Sequence, residues 1–406
     1  MSLLPTWIVA IAVIVVLQTV TAGVSRFVPV IAPAFLAEFG WHEGWVGNFA
    51  AAAVIGSLFV ITAGIGLIDR LGGVGALQLA LAISSASLML FTASSLTVAV
   101  LASILIGLSN GTANPAGSEV LQRYTPPAHR NFVFSVKQAG VPLGGVFVGL
   151  AVPALVAAFG WRWALVVAAA VAVGVTALTV PFRSLIDPPR TEPPAAPAVS
   201  FRPTDLIGPL RTLSTTPGLW SVAAVGGLLA LPQAVWVTFA VTYMVVGLGI
   251  SLGVAGLVFA VMQAASVFGR VAMGWFADHV ATPTVTLGLA AVASAASTIA
   301  FGFVTAQWPT WAMLALAAVG GIAVSGWNGV QIAEVANRAP PGLVAQTAAG
   351  SVVLVYSANV FGPIGTAAVV ALTGRFDVAF MIAGAVTLLC LPLLWGIDRV
   401  VEKSRG

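Results

Sequence analysis

Three basic residues stand inside long apolar runs, where a charge is expensive unless a cavity or a partner receives it. Arg26 lies in Thr21-Ala22-Gly23-Val24-Ser25-Arg26-Phe27-Val28-Pro29. Lys137 lies in Ser135-Val136-Lys137-Gln138-Ala139-Gly140, and Arg270 in Val267-Phe268-Gly269-Arg270-Val271-Ala272. The chain has 12 acidic residues, and all of them fall near the ends of apolar runs, in loops or in tails. A cavity lined this way carries positive charge with nothing of its own to cancel it, so an anion is the natural counter-charge. A guanidinium fork matches a carboxylate bidentately, and a low dielectric strengthens the pair.

Simpler readings exist for each cation. Pro29 and Pro33 allow the first helix to end early, with Arg26 reaching outward. Arg270 shares a helix face roughly with Asp278 and could pair with it. Lys137 could extend its stem to cytoplasmic headgroups. Further polar candidates for a binding site are Gln233, Tyr243, Gln263, Asn328, Tyr356 and Asn359, each of which could instead hydrogen-bond between helices. Gln18, Asn48, Asn110, Asn114, Thr238 and Trp327 are of the same kind. Catalytic chemistry finds no support: His42, His129 and His279 are far apart, Cys390 has no second cysteine, and no phosphate-binding loop occurs. No enzyme, metal or cofactor is expected.

The elements that would position these residues are helices in lipid. Over 406 residues the chain is 59% hydrophobic and 7% charged, with a net charge of +4. Its mean hydropathy is +1.06 and its pI about 9.8. A soluble domain carries about 25% charged residues, which argues against a cytosolic enzyme, a disordered chain or a nucleic-acid-binding domain. A membrane helix needs about 20 apolar residues. Twelve spans are predicted, at 7–37, 45–68, 74–95, 97–118, 132–158, 161–182, 218–247, 251–276, 283–304, 308–331, 344–372 and 377–398. Continuous Ala-rich runs such as Ala164–Ala172 lack the alternation of a membrane β-barrel. The N-terminal run reads as a retained first helix rather than a cleaved signal.

The proline-dense stretch 183–217 reads as an extended, solvated linker between two six-helix blocks, 1–182 and 218–398, with 399–406 a tail. Basic residues in loops favour the cytoplasmic side. With the N-terminus inside, the inner loops hold Arg70, Arg123, Arg130, Arg183, Arg190, Arg202, Arg211, Arg338, Arg399, Lys403 and Arg405. The outer loops hold only Arg162 and Arg375, so both termini and the linker are expected in the cytoplasm.

The two blocks echo each other. Glu119-Val120-Leu121-Gln122-Arg123 is followed by Pro126-Pro127, and Glu334-Val335-Ala336-Asn337-Arg338 by Pro340-Pro341. Asp69-Arg70 follows the second predicted span and Asp278-His279 the eighth. On these residues the chain resembles the major facilitator superfamily. Its loop motif, Gly-x-x-x-Asp-Arg followed by Gly and basic residues, is matched by Gly274-Trp275-Phe276-Ala277-Asp278. The first copy departs from it: Ile65 stands at the glycine position, and no basic residue follows Gly72-Gly73.

The resemblance implies an all-α membrane fold of two pseudo-symmetric six-helix bundles, alternating access, and a substrate site between the halves. It also implies gating or bracing roles for Asp69, Arg70, Gly274, Asp278, Glu119, Arg123, Glu334 and Arg338. Arg270 stands four residues before Gly274, a placement similar to the substrate arginine of monocarboxylate transporters and the oxalate:formate antiporter. The expected activity is therefore transport of a small organic anion, a monocarboxylate foremost, across the cytoplasmic membrane, with Arg26, Arg270 and secondarily Lys137 binding it. Protons or a counter-anion are the expected co-substrates, although the lack of core acids argues against a carboxylate proton relay. The chain is expected to work as a monomer. The alternative is a multidrug exporter with structural arginines; a receptor or scaffold role lacks any extra domain to support it.

Overall fold

A computed structural model describes residues 5–126, 129–187, 204–216 and 218–396. The positions Arg190, Arg202, Arg399, Lys403 and Arg405, the prolines between them, and the 399–406 tail lie outside the described residues. Among the described residues fifteen α-helices follow one another, a last helical stretch at 390–396 aside: α1 (Thr6–Phe39), α2 (Trp45–Ala63), α3 (Ile65–Leu71), α4 (Gly73–Leu90), α5 (Leu96–Tyr124), α6 (Arg130–Phe159), α7 (Trp161–Ile186) and α8 (Thr204–Thr215); then α9 (Leu219–Thr242), α10 (Leu252–His279), α11 (Pro283–Gly302), α12 (Thr310–Gly326), α13 (Asn328–Asn337), α14 (Val344–Thr373) and α15 (Phe376–Thr387). A π-helical turn, Tyr243–Gly247, extends α9. No strand occurs among the described residues. Among the described residues twelve spans are long and apolar enough to cross a membrane: α12 with α13, α9 with its π-turn, and α15 with the helical stretch after it to Gly396 each make one, and the short α3 and α8 make none.

The chain divides into two compact units, Met1–Phe39 with Ala52–Phe201, and Gly40–Ala51 with Arg202–Gly406. In unit 1 small residues let backbones approach, since helices in lipid gain most from close packing. A Cβ at Gly144 of α6 would strike the Thr19 carbonyl of α1, and one at Gly140 would lie 2.9 Å from the Thr19 hydroxyl. On α5, a Cβ at Gly107 would collide with the Ala53 carbonyl of α2. The Ser57 hydroxyl of α2 donates to the Gly107 carbonyl at 2.8 Å across the same seam. Ser109 of α5 donates to the Ala80 carbonyl of α4 at 2.7 Å and accepts from Ser84 at 2.5 Å.

Unit 2 repeats the device. A Cβ at Gly321 of α12 would strike the Met262 carbonyl of α10, and one at Gly269 of α10 would lie 2.7 Å from Ile322 Cα. An aromatic core of Trp236, Tyr243, Phe301, Phe376 and Phe380 joins α9, α11 and α15. Trp236 donates its indole N–H to Thr298 at 3.0 Å.

Four expectations are corrected. The second span stops at Ala63, and Gly64 separates it from α3, so Asp69 and Arg70 lie on a short helix rather than in a loop. Glu119 and Arg123 are still helical on α5, as is Asp278 on α10, beyond the predicted span ends at 118 and 276. The tenth span breaks at Trp327 and resumes as α13, which carries Glu334. Within the proline-rich stretch Thr204–Thr215 is helical, with Pro209 inside it. A lone proline on a helix with an exposed face removes one hydrogen bond, and density of prolines elsewhere in 183–217 does not prevent that local turn.

Candidate polar sites of the two units

Unit 1 holds a polar cluster where α1, α5 and α6 meet. Lys137 of α6 is 2% exposed. Its Nζ donates to the Asn114 carbonyl at 2.9 Å and to the Ser118 hydroxyl at 2.7 Å, and lies 3.4 Å from Asn114 Oδ1. The Phe134 ring centroid is 5.9 Å away. Lys137 thus points into the bundle, which corrects the reading in which it reaches for headgroups. Its stem fits because Gly117 has no side chain: a Cβ there would meet Lys137 Cε at 3.1 Å. The same point is 3.6 Å from Gln18 Oε1 of α1. Gln18 is 1% exposed, and neither its oxygen nor its nitrogen has a hydrogen-bond partner among the described residues. Asn114 is exposed and Ser118 half-buried, so the ammonium sits just beneath an open edge.

Arg26 of α1 is half-buried; its Nη1 donates to the Ala22 carbonyl at 3.1 Å and lies 3.4 Å from Ser25 Oγ. In unit 2, Arg270 is half-buried on α10. Ser266 and Gln263 lie one and two turns before it on the same helical face. Gln263 is 2% exposed, and its Nε2 has no hydrogen-bond partner among the described residues. Asp278, the alternative partner proposed for Arg270, is exposed at the end of α10.

The remaining candidates disperse. Gln233 Nε2 lies 3.3 Å from Ser325 Oγ, and Asn328 Nδ2 donates to the Ser325 carbonyl at 3.0 Å, so both gather at the break near Trp327. The Tyr243 hydroxyl is occupied by the Gly302 and Val304 carbonyls at 3.1 and 3.3 Å, inside the aromatic core. Asn359 bonds the Val355 carbonyl of its own helix at 3.0 Å, and Tyr356 is half-buried beside it. Sequence reasoning missed Gln331, which is buried and donates to Ser351 Oγ at 2.8 Å, tying α13 to α14.

The family's loop motif is held in unit 1 by residues assigned to the linker. Arg183, in the last turn of α7, donates to the Leu71 carbonyl at 3.1 Å. Asp187, one turn on, accepts from the Gly75 N–H at 2.9 Å and thereby caps α4. Gly72 between them has φ +77°, and a Cβ there would overlap the Asp187 carboxyl. A Cβ at Gly75 would lie 2.7 Å from Arg183 Nη2, so that guanidinium reaches the segment where the motif's own basic residues are missing. Burial pushes the Asp187 carboxyl above its ordinary range; the Gly75 and Val74 amides and the charges of Arg183 and Arg123 oppose this without cancelling it. Beside them Arg123 pairs with Glu119 at 2.6 Å, and the Tyr124 hydroxyl donates to the Ile186 carbonyl at 2.8 Å. Arg338 and Glu334 form the corresponding pair in unit 2, also at 2.6 Å. Asp69 is half-buried and Arg70 exposed.

Twelve apolar spans, two units with repeated glycine seams and a repeated Glu–Arg pair describe a membrane carrier built by duplication. The Major Facilitator Superfamily profile matches residues 11–357, and the chain belongs to that superfamily of membrane transporters. An uncharacterized MFS-type transporter of Mycobacterium tuberculosis (strain CDC 1551 / Oshkosh) is 28% identical over 71% of this chain, which spans 62% of that relative's length. A protein of Oryza sativa subsp. japonica named probable anion transporter 2, chloroplastic, is 31% identical over 31% of this chain and 24% of its own. A bacterial homolog to the human lysosomal transporter Spinster, in an inward-facing and occupied conformation, matches with a TM-score of 0.77 at 15% identity, covering 99% of each chain. A POT family transporter in complex with 5-aminolevulinic acid matches with a TM-score of 0.78 at 12% identity, covering 98% of this chain and 97% of that one. At such identities these two structures speak for the fold alone.

Proposed function

We propose that this transporter carries a small organic anion, a monocarboxylate foremost, across the cytoplasmic membrane by alternating access. The observation that carries the reading is Lys137: an ammonium buried in a membrane bundle and held, among the described residues, by neutral oxygens. Burying a charge without a counter-charge is costly, and an arriving anion removes that cost. Arg26 in unit 1 and Arg270 in unit 2 are the other anion-binding cations of this proposal, each embedded in an apolar helix. The resemblance of Arg270 and Gly274 to the monocarboxylate-transporter branch supports the substrate class. The partial match to a probable anion transporter points the same way. Protons or a counter-anion complete the proposed cycle, and the working unit is a monomer.

Purified protein in proteoliposomes tests this. Labelled lactate, pyruvate, acetate and oxalate should accumulate in a protein-dependent manner, whereas a lipophilic cationic dye should not be expelled. Dye efflux without carboxylate uptake would replace this reading with the multidrug exporter.

A further inference from the structure

We propose that Gln263 sets the specificity of the anion site: its amide donates to a second oxygen, on the carbon next to the bound carboxylate, so that 2-hydroxy and 2-oxo acids are preferred over unsubstituted ones. The inference rests on the anion reading above and deepens it. Gln263 is 2% exposed, and its Nε2 has no hydrogen-bond partner among the described residues. Buried glutamines that join helices show their partners: Gln331 donates to Ser351 Oγ at 2.8 Å, and Gln78 to Thr179 Oγ1 at 3.2 Å. A buried amide donor left unpaired is costly, and a ligand oxygen that accepts from it removes the cost.

Gln263 stands seven positions before Arg270 on α10. Seven positions are almost two full turns, so both side chains project from one face. Ser266 lies between them on that face, and its hydroxyl donates to the Gln263 backbone carbonyl at 2.8 Å. The serine proton is thereby held inside the helix, and the donors left on the face are the Gln263 amide and the Arg270 guanidinium. Gln263 and Ser266 are buried, whereas Arg270 is half-buried. One turn further on, a Cβ at Gly274 would meet nothing within 4 Å. The face is therefore closed at Gln263 and opens toward Gly274. An anion arriving from the open end meets the arginine first and the amide at the closed end.

The spacing selects the ligand. Seven residues rise about 10 Å along a helix axis, and two hydrogen bonds of about 3 Å each leave about 4 Å between the oxygens they reach. Oxygens on neighbouring carbons of one small molecule span such a gap. The carboxylate takes the arginine fork, and a hydroxyl or carbonyl oxygen on the next carbon accepts from Gln263 Nε2. A hydroxyl there can also donate to the lone pairs of Ser266 Oγ. An acid with a methylene at that carbon sets apolar hydrogens against the amide and leaves its N–H unpaired. A site built to hydrogen-bond a substrate oxygen rejects the analogue that lacks it for this reason.

Calorimetric binding of lactate, pyruvate and propionate to the purified full-length protein tests this, because the three acids differ only at the second carbon. The wild-type protein should bind lactate and pyruvate at least about tenfold more tightly than propionate. Gln263→Met, similar in shape but without a donor, should bring that ratio close to one. Arg270→Gln should weaken all three acids and keep the preference. Equal affinity of the wild type for the three acids would overturn the preference and leave the anion reading standing. Binding of no carboxylate by folded wild-type protein would overturn both. A preference retained in folded Gln263→Met, even with all three acids weakened together, would overturn the assignment and make the amide a packing residue. Should Gln263→Met fail to fold, Gln263→Asn, whose amide stops one carbon short, should lower the ratio, and an undiminished ratio there would overturn the assignment as well.

Discussion

At the scale of single residues, a cation inside a span and a cation at its edge obey different energetics. Arg26 and Arg270 sit in apolar helices and are half-buried, so each charge-assisted contact to an anion counts for more than it would in water. Arg26→Gln or Arg270→Gln should cost roughly 2–5 kcal/mol of carboxylate binding, and Arg→Lys should rescue little because an ammonium cannot form the fork. Carboxylate titration of variants that unfold at the wild-type temperature checks this; near-native affinity in both would remove the arginines from the anion site. The types of these residues and their apolar surroundings could be read from the chain. The depth of Lys137 could not, because the space for its stem is provided by Gly117, twenty positions earlier on a different helix. The same is true of Gln18, whose lack of hydrogen-bond partners among the described residues is a property of three packed helices.

At the scale of elements, glycines and one carboxylate decide which helices touch and where they begin. A Cβ at Gly107 has no room beside the Ala53 carbonyl, and one at Gly321 has none beside Met262. Gly107→Val or Gly321→Val should therefore destabilise the fold by at least about 1–3 kcal/mol. An unchanged thermal midpoint in detergent would refute the seam. Asp187 caps α4 from the end of α7. Asp187→Ala should cost about 0.5–2 kcal/mol, as lost N-caps do. Its raised folded-state pKa sets the sign of the pH dependence. The contribution of this carboxyl is fully present below its unfolded-state value and declines as pH rises through the folded-state value. Asp187→Asn keeps an acceptor for Gly75 and should flatten that decline. A parallel pH–stability curve for the asparagine variant would count against the assignment. Arg183 and Asp187 fall in the stretch read from the sequence as a linker, and nothing in the linear pattern shows that they reach back to Leu71–Gly75.

At the scale of the whole molecule, the distribution of basic residues among the loops predicts that both termini and the 183–217 segment face the cytoplasm. A reporter active only in the cytoplasm should work when fused after Gly406, and one active only outside should not. The reverse result would invert the topology and, with it, the side from which Lys137 is reached. The all-helical membrane architecture and its duplication followed from the chain alone. Lipid offers no hydrogen bonds to the backbone, so apolar runs of sufficient length must be helices, and their number follows from counting. The repeated Glu–Arg signature disclosed the duplication for the same reason: both copies solve one local problem. Breaks and joints were decided by tertiary structure. Gly64 and Trp327 interrupt apolar runs that hydropathy cannot resolve, and α8 forms inside a proline-rich stretch. The polar sites were decided there too. Hydropathy reports how costly a buried Lys or Gln is, but which groups surround it depends on neighbours far away in the chain, brought near by glycine seams whose partners no linear pattern names.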